Sequence, residues 1–294
     1  MKVSLSFDFE EFDLPREHGA EISTDEAVRI SADGAHRLLD LLARHGVRAT
    51  AFCTRTFAVR SPETVRRLVA GGHEVAAHGL EHSDPGDPRQ CREELERICG
   101  CPVTGYRSPR MEAVDGAALA AAGFRYDASL HPTFLPGRYC HLASPRTPFV
   151  RKGLCEVPAS VTPLLRLPLF WLSLHLLPEW LYLALARRTL AHDGTLVLYF
   201  HPWEFSPELP KLAVGLKVPR YVRVNLGSPM LARLERLISD LRRIGAEFCP
   251  IAEGGAGHPG LHTTDRDGPR ADRPPPSVLL DSQLQLLRQN ADPE

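Results

Sequence analysis

Residues 2–13 read KVSLSFDFEEFD, and the fold turns on how that stretch is divided. Val3–Phe7 alternates and is rich in strand formers, while Asp8 and Glu10 stand just past it. A strand that runs directly into ionisable residues fits the opening of a parallel βα unit, in which chemistry gathers at the C-terminal ends of the strands. The same arrangement recurs downstream. His78 and His82 follow the strand-like His73–Ala77, Arg107 follows Val103–Tyr106, Asp127 follows Phe124–Tyr126, and His201 follows the apolar Thr195–Phe200. Ionisable groups at five separate strand ends converge in space if those strands lie side by side.

The segments between these strands read as helices. Residues 33–45 (DGAHRLLDLLARH) place apolar side chains at helical spacing, with Gly46 where a C-terminal glycine belongs. Pro62–Ala70, Pro88–Ile98, Val114–Ala122 and residues 229–243 follow the same pattern, and further strands are expected at Val47–Cys53, Leu154–Val157 and Ala246–Cys249. Strands alternating with helices predict an α/β fold with a parallel sheet, and seven or so units predict a closed or nearly closed barrel rather than an open sheet. One domain over residues 1–253 is expected. From Gly254 the composition shifts to Gly, Pro, Asp and Arg, so 254–294 reads as a disordered tail with a short helix around Val278–Arg288.

Composition narrows the function. The chain has 294 residues, 43% of them apolar, enough for a sizeable core, and a formal net charge of -1, which argues against a nucleic-acid partner. Seven cysteines scattered along the chain do not make a disulfide framework, and Cys99-Gly-Cys101 has no second pair nearby to complete a thiolate metal site. The acidic run begins before any signal-peptide apolar region could form, so a cytoplasmic protein is expected. Residues 163–186 are strongly apolar, but Arg166, Pro168, His175, Pro178 and Glu179 interrupt them. A buried helix pair or an apolar lid over the site is expected there rather than a membrane span, with peripheral membrane or glycolipid contact as a corollary. The oligomeric state is not legible in the sequence.

Each motif has a bland reading beside the chemical one. Asp8-Phe9-Glu10 can aim two carboxylates into one cavity, or form a solvated acidic turn with Glu11 and Asp13. In His78-Gly-Leu-Glu-His82 the imidazoles are four residues apart, which in a helical turn puts both on one face where they can share an ion; two surface histidines before a turn is the alternative. Arg107 stands in a proline-stiffened loop, where a structural salt bridge is the bland reading. His201 leaves a buried strand directly towards the expected site, and a core histidine satisfied by backbone is its alternative.

Taken together, SFDFE, HGLEH, GYRSPR, RYDAS and LYFHPWE occur in the order found in the polysaccharide deacetylase family, the NodB-homology or carbohydrate esterase family 4 type, and the chain resembles that family from about residue 2 to residue 250. HPWEF, with the preceding PLFWLS, resembles an intracellular subgroup. The resemblance implies a distorted (β/α)7-type barrel, the glycoside hydrolase/deacetylase fold, with one divalent metal, expected to be Zn2+, and hydrolysis of the N-acetyl group of an amino sugar. Position by position, it implies Asp8 as catalytic base, Glu10, His78 and His82 as metal ligands, Arg107 as the arginine that orients the base, His201 as general acid and Asp127 as the carboxylate that tunes it. Arg110 and Trp203 are expected to contact substrate.

The chain departs from the family pattern twice. The family's first motif has adjacent aspartates, whereas here one residue intervenes and the ligand is a glutamate. Its third motif usually ends in proline and an aromatic residue, whereas Arg110 follows Pro109 here. A backbone N–H at that position is the expected oxyanion donor. The rival readings are a hydrolase of another C–N bond on the same fold, such as a cyclic amide, and a catalytically inactive binding protein that kept the barrel.

Overall fold

The computed structural model describes residues 1–135, 139–254 and 262–263. Ten strands build its principal sheet among the described residues: β1 (Lys2–Phe9), β2 (Thr50–Cys53), β3 (Glu74–Ala77), β4 (Gly105–Tyr106), β5 (Tyr126–Asp127), β6 (Phe149–Arg151), β7 (Leu154–Glu156), β8 (Thr195–Phe200), β9 (Glu247–Phe248) and the short His262–Thr263. Their order is β8-β1-β2-β3-β4-β5-β7-β6, with β9 alongside the start of β1 and His262–Thr263 outside β6. All pairs are parallel except the β6–β7 hairpin. A second hairpin joins Phe134–Leu135 to Tyr139–Cys140.

The sheet curls into a half-barrel rather than a closed barrel. Beyond β7 the chain crosses towards β8, where the Ser160 N–H donates to the Val197 carbonyl at 2.9 Å. The Val197 N–H donates in turn to Ser160 Oγ at 2.8 Å. A serine hydroxyl thus substitutes for a ladder carbonyl and narrows the gap.

Period-two alternation sorts β1 into two faces. Val3, Leu5, Phe7 and Phe9 pack into the main apolar cluster with residues of the surrounding helices. Ser6 and Asp8 point the other way, into the barrel, and meet Arg107 beneath the rim. Phe52, Ala76, Tyr126, Cys155 and Val197 form the barrel's own apolar filling.

Pro62–Ala70 and Thr195–Phe200 match the sequence expectation residue for residue. Pro88–Cys99 and Ser228–Arg243 match to within a residue at either end. The helix expected at 33–45 is longer, α1 (Thr24–Arg44), because Ser23 caps it by accepting the Glu26 N–H. The stretch 163–186 holds a tight turn, α2 (Trp171–Leu176) and the start of α3 (Glu179–Asp193). Among the described residues no helix is long and apolar enough to cross a membrane. Of the tail expected from 254 onward, His262–Thr263 adds to the sheet; the expected helix around Val278–Arg288 lies outside the described residues.

Candidate active site

The rim of the half-barrel collects the predicted side chains. Glu10 Oε2 lies 3.1 Å from His78 Nε2 and 3.4 Å from His82 Nε2. His201 Nε2 lies 3.8 Å from Glu10 Oε1 and 4.0 Å from Asp8 Oδ2, and His78 Nε2 is 4.0 Å from that same Asp8 oxygen. The structure therefore brings Asp8, Glu10, His78, His82 and His201 around one point, from three strand ends.

Asp8, His78 and His82 have their orientation fixed from behind. Arg107 is wholly buried and spends its guanidinium on Asp8 Oδ1 (2.6 Å), Ser6 Oγ (2.9 Å) and the Ala128 carbonyl (3.2 Å), with its carbon 4.0 Å above the Phe52 ring. This leaves Asp8 Oδ2 facing the histidines. Burial alone would raise the Asp8 pKa, but Arg107, His78 and His201 pull it below the usual carboxylate range, so Asp8 is ionised. His78 Nδ1 donates to the Arg107 carbonyl at 2.9 Å, which turns Nε2 towards Glu10. His82 Nδ1 lies 2.7 Å from Asp13 Oδ1, which turns its Nε2 the same way.

The donor set fits a divalent cation. One carboxylate and two imidazoles leave further coordination positions open, as catalytic rather than structural ions require. Two of the three donor–donor spacings, 3.1 and 3.4 Å, are close to the edge of about 3.4 Å in a tetrahedron built on metal–ligand bonds of about 2.0–2.1 Å. Burial pulls the His82 pKa down, yet Glu10 and Asp13 hold it up at about 9: the pocket draws positive charge to this point. Asp13, Glu17 and His82 also bring one donor atom each within 4.8 Å of one another. That group already holds a cation, since Arg110 reaches Glu17 at 2.7 Å and Asp13 at 3.7 Å.

Two expectations are corrected by this geometry. Asp127 does not adjoin His201. Its strand neighbour Tyr126 fills the barrel and donates to Glu74 at 2.8 Å, so alternation turns Asp127 outward. There it accepts from the Ser129 N–H (3.0 Å) and hydroxyl (2.5 Å) beside Glu156, and burial with that second carboxylate lifts its pKa to about 7. The partner of His201 Nδ1 is instead Glu204, at 2.9 Å. Trp203 is only 4% exposed: it stacks on the inner side of His201 with ring centroids 5.1 Å apart and packs on Phe12, so it supports the histidine instead of facing substrate. The Arg110 side chain pairs with Glu17 and Asp13 and keeps a third of its surface exposed. The Arg110 and Met111 backbones are left-handed (φ 57° and 56°), strain of the kind that concentrates at functional loops.

Glu204 and Trp171 escaped the sequence reading. Trp171 is partly buried and sets its ring edge-on to His201 at 5.3 Å. A signal for Glu204 was available: in His201-Pro-Trp-Glu204 a proline at N1 and a glutamate at N3 mark a helical start whose carboxylate folds back on the N-cap residue.

Comparison with known proteins adds to the geometry. Residues 22–127 match the family model Polysaccharide deacetylase, and residues 128–247 match a Domain of unknown function (DUF3473). A peptidoglycan deacetylase of Helicobacter pylori is 31% identical over 134 residues, 40% of this chain and 46% of that protein. A chitooligosaccharide deacetylase of a Bradyrhizobium species is 42% identical over 60 residues, 20% of this chain and 27% of that one. The chain thus spans less than half the length of these relatives. Among solved structures, a Mycobacterium smegmatis protein assigned to the polysaccharide deacetylases superposes with TM-score 0.63 at 22% identity, covering 92% of this chain and 94% of the other. PuuE allantoinase superposes with TM-score 0.58 at 16% identity, covering 86% and 88%. These likenesses place the fold.

Proposed function

We propose that the chain is a polysaccharide deacetylase, a metal-dependent hydrolase that removes N-acetyl groups from an amino-sugar-containing glycan or glycolipid, a reading supported by the match of residues 22–127 to that family's model. The observation that carries this reading is the meeting of an ionised Asp8, a histidine with its Nδ1 side held by a carboxylate, and the Glu10–His78–His82 donor set at one point. Glu10, His78 and His82 would hold the ion, with zinc the choice that one carboxylate and two imidazoles favour. When bound, such an ion supplies a Lewis acid that polarises the acetyl carbonyl and lowers the pKa of water towards about 7.

The protein's own groups do the rest. Asp8 Oδ2 takes the proton of the attacking water, while Arg107 on Oδ1 keeps that carboxylate ionised and aimed. The strained Arg110 loop presents backbone N–H to the developing oxyanion, and one such donor contributes about 3–4 kcal/mol. An amine leaves poorly unless protonated, and His201 Nε2 gives its proton to the leaving nitrogen. Trp171 walls the site beside His201 and excludes water.

The turn between Val161 and Pro168 leaves Leu164 and Leu165 exposed at 81% and 77%. Arg166 staples that turn to the Pro132 and Ser144 carbonyls at 3.2 and 2.7 Å. Five residues further on the chain reaches Trp171 and the site, and this exposed apolar pair is what supports a lipid-linked glycan as the substrate.

The test is acetate release by zinc-loaded protein across N-acetylated oligosaccharides, their lipid-linked forms and cyclic amides. Acetate from an amino-sugar substrate, with kcat/KM higher on the lipid-linked form, is expected. Ring opening of a cyclic amide without acetate release from any sugar would overturn the deacetylase reading, and equal kcat/KM on soluble and lipid-linked glycans would remove the lipid.

A further inference from the structure

Glu204 is fully buried one short turn beyond His201 and takes no part in the steps above. Its Oε1 accepts the His201 backbone N–H at 2.6 Å and faces His201 Nδ1 at 2.9 Å. Its Oε2 faces His175 Nε2 at 3.0 Å, and His175 is itself completely buried. His175 Nδ1 meets the Val224 carbonyl at 2.5 Å. A carbonyl can only accept, so His175 presents Nδ1–H to Val224 and turns Nε2 onto Glu204 Oε2, which holds that carboxylate in place. Trp171, one helical turn before His175 on α2, packs edge-on against His175, His201 and Trp203 and closes the group from water.

We propose that Glu204, backed by His175, is the positioning residue that fixes the tautomer and ring orientation of His201, in the place the family resemblance gives to Asp127. The proposal rests on the reading of His201 as proton donor. With Nδ1–H committed to Glu204, the transferable proton sits on Nε2, the atom that faces Asp8 and Glu10. The Nε2–H bond breaks as the N–H bond of the leaving amine forms, and Glu204 keeps its hydrogen bond without taking a proton. Asp127 cannot share in this, since it faces the outer side of the sheet.

Glu204→Gln is a clean probe. The Gln carbonyl can still accept both His201 N–H groups, and its amide can donate to a neutral His175 Nε2, so shape and hydrogen bonds survive while the charge is lost. With zinc-loaded protein, Glu204→Gln should lower kcat about 100-fold or more with KM within about threefold and the thermal midpoint nearly unchanged. Asp127→Asn should keep kcat within about tenfold. His175→Asn should lower kcat in the parent and have little further effect in Glu204→Gln, because it acts through the carboxylate. Glu204→Gln with parental kcat, in a protein where His201→Ala is inactive, would overturn the relay, as would an Asp127→Asn loss matching that of Glu204→Gln. Parental turnover by His201→Ala would overturn the proton-donor reading itself, and the relay with it.

Discussion

A buried imidazole takes its protonation from what faces each nitrogen, and this chain applies the rule in opposite directions. His201 and His82 face carboxylates and are held towards the charged form. His73 instead accepts the Ala49 N–H on Nδ1 at 3.1 Å, and burial, with Arg48 and Arg67 nearby, depresses its pKa to about 4. The unfolded chain therefore binds the proton first as pH falls. The stability that neutral His73 contributes is complete above about pH 6.5 and is lost progressively towards pH 4, by roughly 3 kcal/mol. Urea unfolding of the parent and of His73→Asn, whose carbonyl can accept the same N–H, should converge by that amount between pH 7 and pH 4; parallel curves would contradict the assignment. The positions of His78, His82 and His201 were legible from the sequence because each follows a recognisable strand. Glu204 displaced Asp127 because the face of a two-residue strand depends on register, which no local pattern shows.

At the scale of elements, the turn that carries His201 is placed by a helix packed behind it. α1 packs against the turn at Pro202–Phe205 through Gly34, where a Cβ would overlap the Pro202 carbonyl. Alanine normally stabilises a helix relative to glycine by about 1 kcal/mol. Here Gly34→Ala should destabilise by about 1–3 kcal/mol in urea unfolding, because the backbone of the His201 turn must shift. It should also lower kcat in the folded fraction; a stabilised variant with full turnover would show that α1 does not set the turn. Helices with clear caps and periodicity were legible. The first nine residues of α1 were missed because the Ser23–Glu26 capping signal lies ahead of the apolar repeat. The 163–186 stretch resisted prediction because its leucines serve three settings: an exposed turn, a helix over the site and a packed outer helix.

For the whole molecule, the two matched family models meet between Asp127 and Ala128, yet the sheet runs across that junction without a break. β5, at the end of the first match, pairs with β4 on one side and with β7 from the second on the other. The first match holds His78, His82 and Arg107, and the second holds His201, Glu204 and Trp171, so neither half carries a complete site. Barrel and strand-end convergence followed from alternating elements. The gap beside β8, bridged by Ser160 instead of a strand, did not, because it depends on one side chain far along the chain. Anomalous diffraction at the zinc edge from zinc-soaked crystals tests the central claim most directly. The account predicts one strong peak within about 2.3 Å of Glu10, His78 and His82, absent from His78→Ala crystals. A peak held by Asp13, Glu17 and His82 with Arg110 displaced, or none at the rim, would contradict it.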